Sequence, residues 1–167
     1  MEVIQSLSYP RDLMCALEAW ALEQRPVFIV GVPRSGTTRL SNIVSSSPEF
    51  YRERGDAVET HLVSSLPNLY KWKDPGPLLR YLGGKSGVDS IIDRGIKTLR
   101  DSSPDRKRKA FVQLYFFAMM QVCQPKRIVE KTPLHIFSAD FLWCCFPKAQ
   151  FVCCYRDPCA VYGSMRR

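Results

Sequence analysis

No apolar run in this 167-residue chain approaches the ~18 residues needed to cross a bilayer. The longest apolar patch, around Phe111 to Val122, is interrupted by two glutamines. The N-terminus, MEVIQSLSYPRDL, lacks both a basic start and an apolar core, so it does not read as a signal peptide. A cytoplasmic location with no membrane span is the resulting expectation. Histidine occurs only twice, which speaks against a His-rich metal centre. The seven cysteines are odd in number and contain no CxxC pair. Four of them form adjacent pairs in apolar segments, Cys144-Cys145 and Cys153-Cys154, where buried free thiols are expected rather than a disulfide framework or a metal site. No RNA-reading aromatic motif, zinc finger or basic zipper is present, so nucleic acid is not an expected partner. Acidic residues are the minority, 16 against 24 basic ones, for a net charge of +8. That balance suits an anionic ligand and says nothing about fold.

The length fits one ordinary domain, and 46% hydrophobic with 24% charged residues is a usual globular mixture. Pro10 to Gln24 reads as an amphipathic helix, with Leu13, Leu17, Trp20 and Ala21 at helical spacing. Val27 to Val30 is a short β-branched run, the mark of a buried parallel strand. A helix from Thr37 to Ser46 should follow, ended by Pro48. Residues 49–56, EFYRERGD, read as a polar loop, and Ala57 to Leu66 as a short helix. Further helices are expected near Pro77 to Leu82 and Val88 to Leu99. A long one should begin at Pro104, capped by Ser103, with the basic run RKRK as a solvated helix end. Arg127 to Val129 and residues 149–155 read as strands, with a helix from Ser138 to Phe146 between them. Asp157 and Pro158 supply an N-cap and first-turn proline for a last helix. Strands alternating with helices predict an α/β fold with a parallel sheet flanked by helices. The sheet is expected to be incomplete at the C-terminus, because the chain stops inside that last helix.

The stretch VFIVGVPRSGTTRL, residues 27 to 40, runs from strand through a glycine-containing loop into a helix. A helix N-terminus offers unpaired amides and the positive end of a dipole, so this geometry holds phosphate. Gly31 and Gly36 have the spacing of a Walker A loop, GxxxxGK[ST]. Thr37, however, stands where a nucleotide triphosphatase carries lysine, and the positive charge sits inside the loop at Arg34. ATP hydrolysis is therefore disfavoured. Arg34, Lys131 and Arg156 each lie just past a predicted strand. In open α/β sheets ligands bind outside those ends, so the three cations should converge on one anion.

The element PRSGTT after an apolar strand resembles the 5′-phosphosulfate loop of sulfotransferases, in the arginine form found in the tyrosylprotein enzymes and related bacterial and eukaryotic members. FPKAQFVCCYRDPCAVYGSMRR resembles the family's 3′-phosphate element, with Arg156 followed eight positions later by Ser164. RIVEKTPLH is similar to its Lys-Thr/Asp-Pro element. The resemblance implies a P-loop nucleoside triphosphate hydrolase-like fold and 3′-phosphoadenosine 5′-phosphosulfate (PAPS) as donor, leaving 3′,5′-adenosine bisphosphate and needing no metal. It assigns Arg34 and Lys131 to the sulfuryl group. Arg34, Ser35, Gly36, Thr37 and Thr38 fall to the 5′-phosphosulfate, and Arg156 and Ser164 to the 3′-phosphate. The family's general base, a glutamate after the phosphate-loop helix, falls in EFYRERGDAVETH, with Glu59 the first candidate and Asp56 the second. The acceptor is a hydroxyl (or amine) on a small molecule or macromolecule. Residues 1–167 read as the N-terminal part of one longer sulfotransferase-like domain. A P-loop kinase or NTPase, or a truncated non-catalytic nucleotide-binding module, are the alternatives.

Overall fold

The computed structural model describes residues 10–51, 59–63, 88–98, 103–124 and 127–166. Helix α1, Pro10–Ala21, buries Leu13, Leu17 and Ala21 along one stripe at four-residue spacing. Strand β1, Val27–Gly31, is buried at every position, as a strand covered on both faces must be. Helix α2 covers Thr37–Val44, and a two-residue strand β2 covers Phe50–Tyr51. Helices α3, Val88–Thr98, and α4, Pro104–Cys123, precede strand β3, Arg127–Lys131. A 3₁₀ helix, Pro133–Ser138, leads into α5, Ala139–Cys145. Strand β4, Gln150–Cys154, and helix α6, Pro158–Met165, complete the described elements.

The sheet order is β2–β3–β1–β4, all parallel, with Val27 opposite both Val129 and Gln150. The chain thus has the expected α/β architecture. Period-two alternation on β1 sends its side chains to two different layers. Phe28 and Val30 join the larger core with α1, α4 and α5. There the Phe28 ring lies 5.6 Å from Phe116, 6.4 Å from Phe146 and 5.3 Å from Phe151 between centroids. Val27 and Ile29 face the other way, with Val129 and with Leu40 and Val44 of α2. Burial of a side chain such as Phe28 contributes about 1.5–3 kcal/mol. Helix α4 is buried from Ala110 through Met119, and Gln113, buried there, donates to the Cys145 carbonyl at 3.0 Å.

Several expectations change. Phe50 and Tyr51, read as loop, pair with Arg127 and Ile128. Arg127 secures this edge by lying 5.0 Å over the Phe50 ring. Of the segment expected as a helix over Ala57–Leu66, residues 59–61 are irregular and only Leu62 and Val63 are helical among those described. The helix expected near Pro77 to Leu82 lies outside the described residues. Ser103 has extended backbone and makes no side-chain cap; its carbonyl accepts from the Lys107 amide at 3.0 Å instead. The RKRK run is partly engaged: Lys109 pairs with Glu18 at 3.1 Å, and Arg108 lies 5.5 Å over Phe141.

The cysteine reading is also corrected. All the described cysteines are free thiols, but only Cys145 is buried, while Cys15, Cys144, Cys153 and Cys159 are exposed. An apolar neighbourhood in sequence does not choose a face. Cys144 lies off the α5 stripe of Leu142 and Cys145, and β4 is an edge strand in the described sheet. Burial pushes the Cys145 thiol up to about 12. Alkylation of the native protein should therefore label Cys144 and spare Cys145 until denaturant is added; tandem mass spectrometry of the shared peptide reads the difference.

At the ends of β1 and β4 the backbones nearly touch. Gly31 has φ 147°, and a Cβ there would lie 2.4 Å from the Cys154 carbonyl oxygen. Gly31→Ala should destabilise the fold by on the order of 2 kcal/mol or more, read as a lower urea midpoint at unchanged slope.

Candidate functional site

Past Gly31 the chain turns on itself. The Ser35 amide donates to the Val32 carbonyl at 3.1 Å, with Arg34 at φ 69° and Gly36 at φ 100°. Gly36 is the N-cap of α2 and has no side chain to offer the helix end. The first helical bond runs from Leu40 to the Gly36 carbonyl at 3.0 Å. That leaves the amides of Thr37, Thr38 and Arg39 at the open, positive end of the helix.

Helix α6 docks against this loop. Asp157 caps it by accepting from the Ala160 amide at 2.9 Å, and Pro158 presets the first turn. The cap sets the direction of Arg156 on one side and Ser164 two turns on. Arg156 donates to the Arg34 carbonyl at 3.1 Å, and Arg34 Nε donates to Ser164 Oγ at 3.1 Å. Arg34, Arg156 and Ser164 thus share one wall of a cavity of about 510 Å³, together with Gly36, Thr37 and Thr38. Glu59 and Pro133 line the same cavity. Lys131 reaches the cavity only through Glu59, whose Oε1 its ammonium meets at 2.8 Å. The second carboxylate oxygen lies 3.3 Å from His61 Nε2. The Lys131 side chain is buried and its partner about one-third exposed, so removing Glu59 would strand an ammonium out of water.

Behind Glu59 lies a buried polar cluster. Glu130 accepts from Thr60 Oγ1 at 2.7 Å and from Thr132 Oγ1 at 2.6 Å, both on Oε1, and its Oε2 lies 2.9 Å from His135 Nδ1. His135 Nε2 accepts from the Val63 amide at 3.3 Å, which puts the ring proton on Nδ1. Burial pushes the Glu130 carboxyl up. The facing imidazole and the three hydrogen bonds outweigh this and hold it below the ordinary carboxylate value.

The structure therefore brings Arg34, Gly36, Thr37, Thr38, Arg156, Ser164 and Glu59 to one cavity, with Lys131 beside it. Ser35 differs. It does not line the cavity, its amide is spent on the Val32 carbonyl, and its hydroxyl is buried without a partner among the described residues. Asp56 lies outside the described residues. Arg39, a polar residue on the first turns of α2, lines the cavity with Asn42, three positions on. The signal was available, since residues three apart share a helix face and this face begins at the loop. Among the described residues Glu59 is the one acid lining a cavity that three arginines also line. Such a hollow attracts anions, and placing a carboxylate beside a buried lysine gives a proton acceptor next to a cation. No helix among the described residues is long and apolar enough to cross a membrane.

A family model described as "Sulfotransferase family" matches residues 26–167. No curated protein matches the chain. Among solved structures, sulfotransferase STF1 from Mycobacterium tuberculosis is similar at 15% identity and a TM-score of 0.43, over 88% of this chain and 52% of its own. Sulfotransferase STF9 from Mycobacterium avium is similar at 18% identity and a TM-score of 0.43, over 93% of this chain and 50% of its own. The chain spans about half the length of these structures.

The Glu130 cluster makes an acid-stability prediction. Because its carboxyl titrates lower in the fold than in the unfolded chain, its contribution is complete above the unfolded value of about 4.3 and is lost as the pH falls through the lower folded value. Glu130→Gln should cost about 3 kcal/mol at neutral pH, and its urea midpoint should fall less steeply than wild type on acidification below about pH 4.3.

Proposed function

The chain belongs to the sulfotransferase family, and on that premise we propose that it transfers a sulfuryl group from PAPS to a hydroxyl or amine acceptor. The observation that carries this reading is the meeting of Arg34, Arg156 and Ser164 on one cavity over the open end of α2. Its volume falls within the ~300–1,000 Å³ of small-molecule sites. A donor with a phosphosulfate at one end and a phosphate at the other needs cations from separate turns, and the parallel sheet delivers them to one edge.

In this mechanism the amides of Thr37 and Thr38 and the Arg34 guanidinium hold the 5′-phosphosulfate. Arg156 and Ser164 bind the 3′-phosphate. The acceptor oxygen attacks sulfur in line, and the bond from sulfur to the bridging phosphate oxygen breaks. Lys131 and Arg34 stabilise charge on the equatorial and leaving oxygens. Glu59 takes the acceptor proton. Lys131 and Glu59 neutralise each other across 2.8 Å. Lys131 must turn towards the sulfuryl group as the donor enters, which frees the carboxylate for its proton. Asp56 is the alternative base. A cytoplasmic location is part of the same reading.

Calorimetric titration tests the donor assignment. The protein should bind 3′,5′-adenosine bisphosphate and ignore ATP with magnesium; the reverse preference would move the chain to the kinase and NTPase class. Arg34→Ala and Arg156→Ala should each weaken bisphosphate binding roughly tenfold or more, equivalent to about 1.4 kcal/mol or more. Bisphosphate binding without transfer of label from PAPS to a panel of phenols, sugars and amines would favour a non-catalytic binding module.

A further inference from the structure

Residues 59–63 and residues 130–135 meet rung by rung. Glu59 pairs with Lys131, Thr60 with Glu130, the His61 amide with Thr132 Oγ1 at 3.2 Å, and the Val63 amide with His135. At the centre is Glu130, only 3% exposed, with donors on both oxygens and no part in the proposed chemistry. A buried carboxylate is a costly means of holding a loop, because each charge taken from water loses several kcal/mol of hydration, of order 5. Leu62 and Val63, both buried, already supply apolar attachment. What the carboxylate adds is direction, since hydrogen bonds are satisfied in one register only. The same segment carries a strained residue. His61 sits at φ 46°, in a left-handed conformation costing on the order of 1 kcal/mol, which persists only where neighbours over-determine it.

We propose that Glu130 is a positioning residue for Glu59, acting through Thr60 and Thr132 to aim that carboxylate into the cavity between Lys131 and His61. Thr60 is the connecting link: it is joined to Glu59 by one peptide bond and to Glu130 by its hydroxyl, while its hydroxyl also accepts from the Leu62 amide at 3.2 Å. Without that anchor the 59–61 turn loses its register, and Glu59 loses its aim although the donor-binding wall is untouched. This inference rests on the sulfotransferase reading for the role of Glu59.

Thr60→Val removes the hydroxyl at nearly constant shape, and Thr60→Ser restores it. Three readouts separate the outcomes: affinity for 3′,5′-adenosine bisphosphate, kcat for transfer from PAPS to para-nitrophenol, and the carboxyl-carbon resonance of Glu59 in glutamate-labelled protein, assigned with Glu59→Gln. Thr60→Val should leave bisphosphate affinity unchanged, lower kcat on the order of tenfold to a hundredfold, and move the Glu59 resonance. Thr60→Ser should recover both. An unmoved Glu59 resonance in Thr60→Val with lower thermal stability would overturn the proposal and leave Glu130 a purely structural anchor. Loss of bisphosphate affinity in that variant would overturn it too, by assigning the cluster to the donor wall. If the wild-type protein itself binds no bisphosphate, the sulfotransferase reading fails; the Glu59 resonance still decides the positioning role, because it needs no turnover.

Discussion

The near-contact of β1 and β4 at their carboxyl ends governs the rest of the molecule. Gly31 lies against the Cys154 carbonyl with no space for a Cβ. Because the two strands are parallel and in register, the loops that leave them start side by side. Arg34 and Arg156, 122 residues apart in the chain, therefore bond to each other rather than pointing to separate regions of solvent. A side chain at position 31 would part the strands and dissolve that adjacency. The meeting of the two arginines is in this sense a consequence of backbone packing.

Three arginines around one hollow repel one another, and such an arrangement stays compact only if something offsets the repulsion. The fold uses backbone and hydroxyl acceptors on one side: the Arg34 carbonyl for Arg156, and Ser164 for Arg34. On the other side it uses Glu59, which also neutralises Lys131. The carboxylate thus has a structural duty in the fold and a chemical one in the proposed reaction. These duties make the placement of residues 59–63 as important as that of the loop after β1, although no sheet strand carries this segment among the described residues.

Much of the framework was legible in the chain. The Val27–Val30 run, the Gly31 to Gly36 spacing and the Asp157-Pro158 cap each have a local cause, and each lies where the residues indicate. Arg156 and Ser164 were legible as a pair through the resemblance to the family's 3′-phosphate element, eight positions apart. Other features carried no local signal. Phe50 and Tyr51 become strand only because β3 offers an edge and Arg127 a cation over the Phe50 ring. Cys144 and Cys153 are as apolar in sequence context as Cys145, yet they are exposed because the face a residue takes depends on which element lies opposite. Arg39 and Asn42 resemble any polar helix residues until the cavity is seen in front of them.

From its residues alone, then, the chain determined a parallel α/β layer with a glycine-spaced loop between the first strand and the helix that follows it, since period, capping and glycine spacing act within a few residues of one another. Only the tertiary structure decided which carboxylate meets Lys131, that Ser35 does not line the cavity, and that a buried Glu130 is bonded to residues 59–63. Those outcomes depend on contacts across some seventy residues, such as Thr60 with Glu130 and His61 with Thr132. Their energies come from desolvation and hydrogen-bond register in a shared interior, which no local stretch of sequence contains.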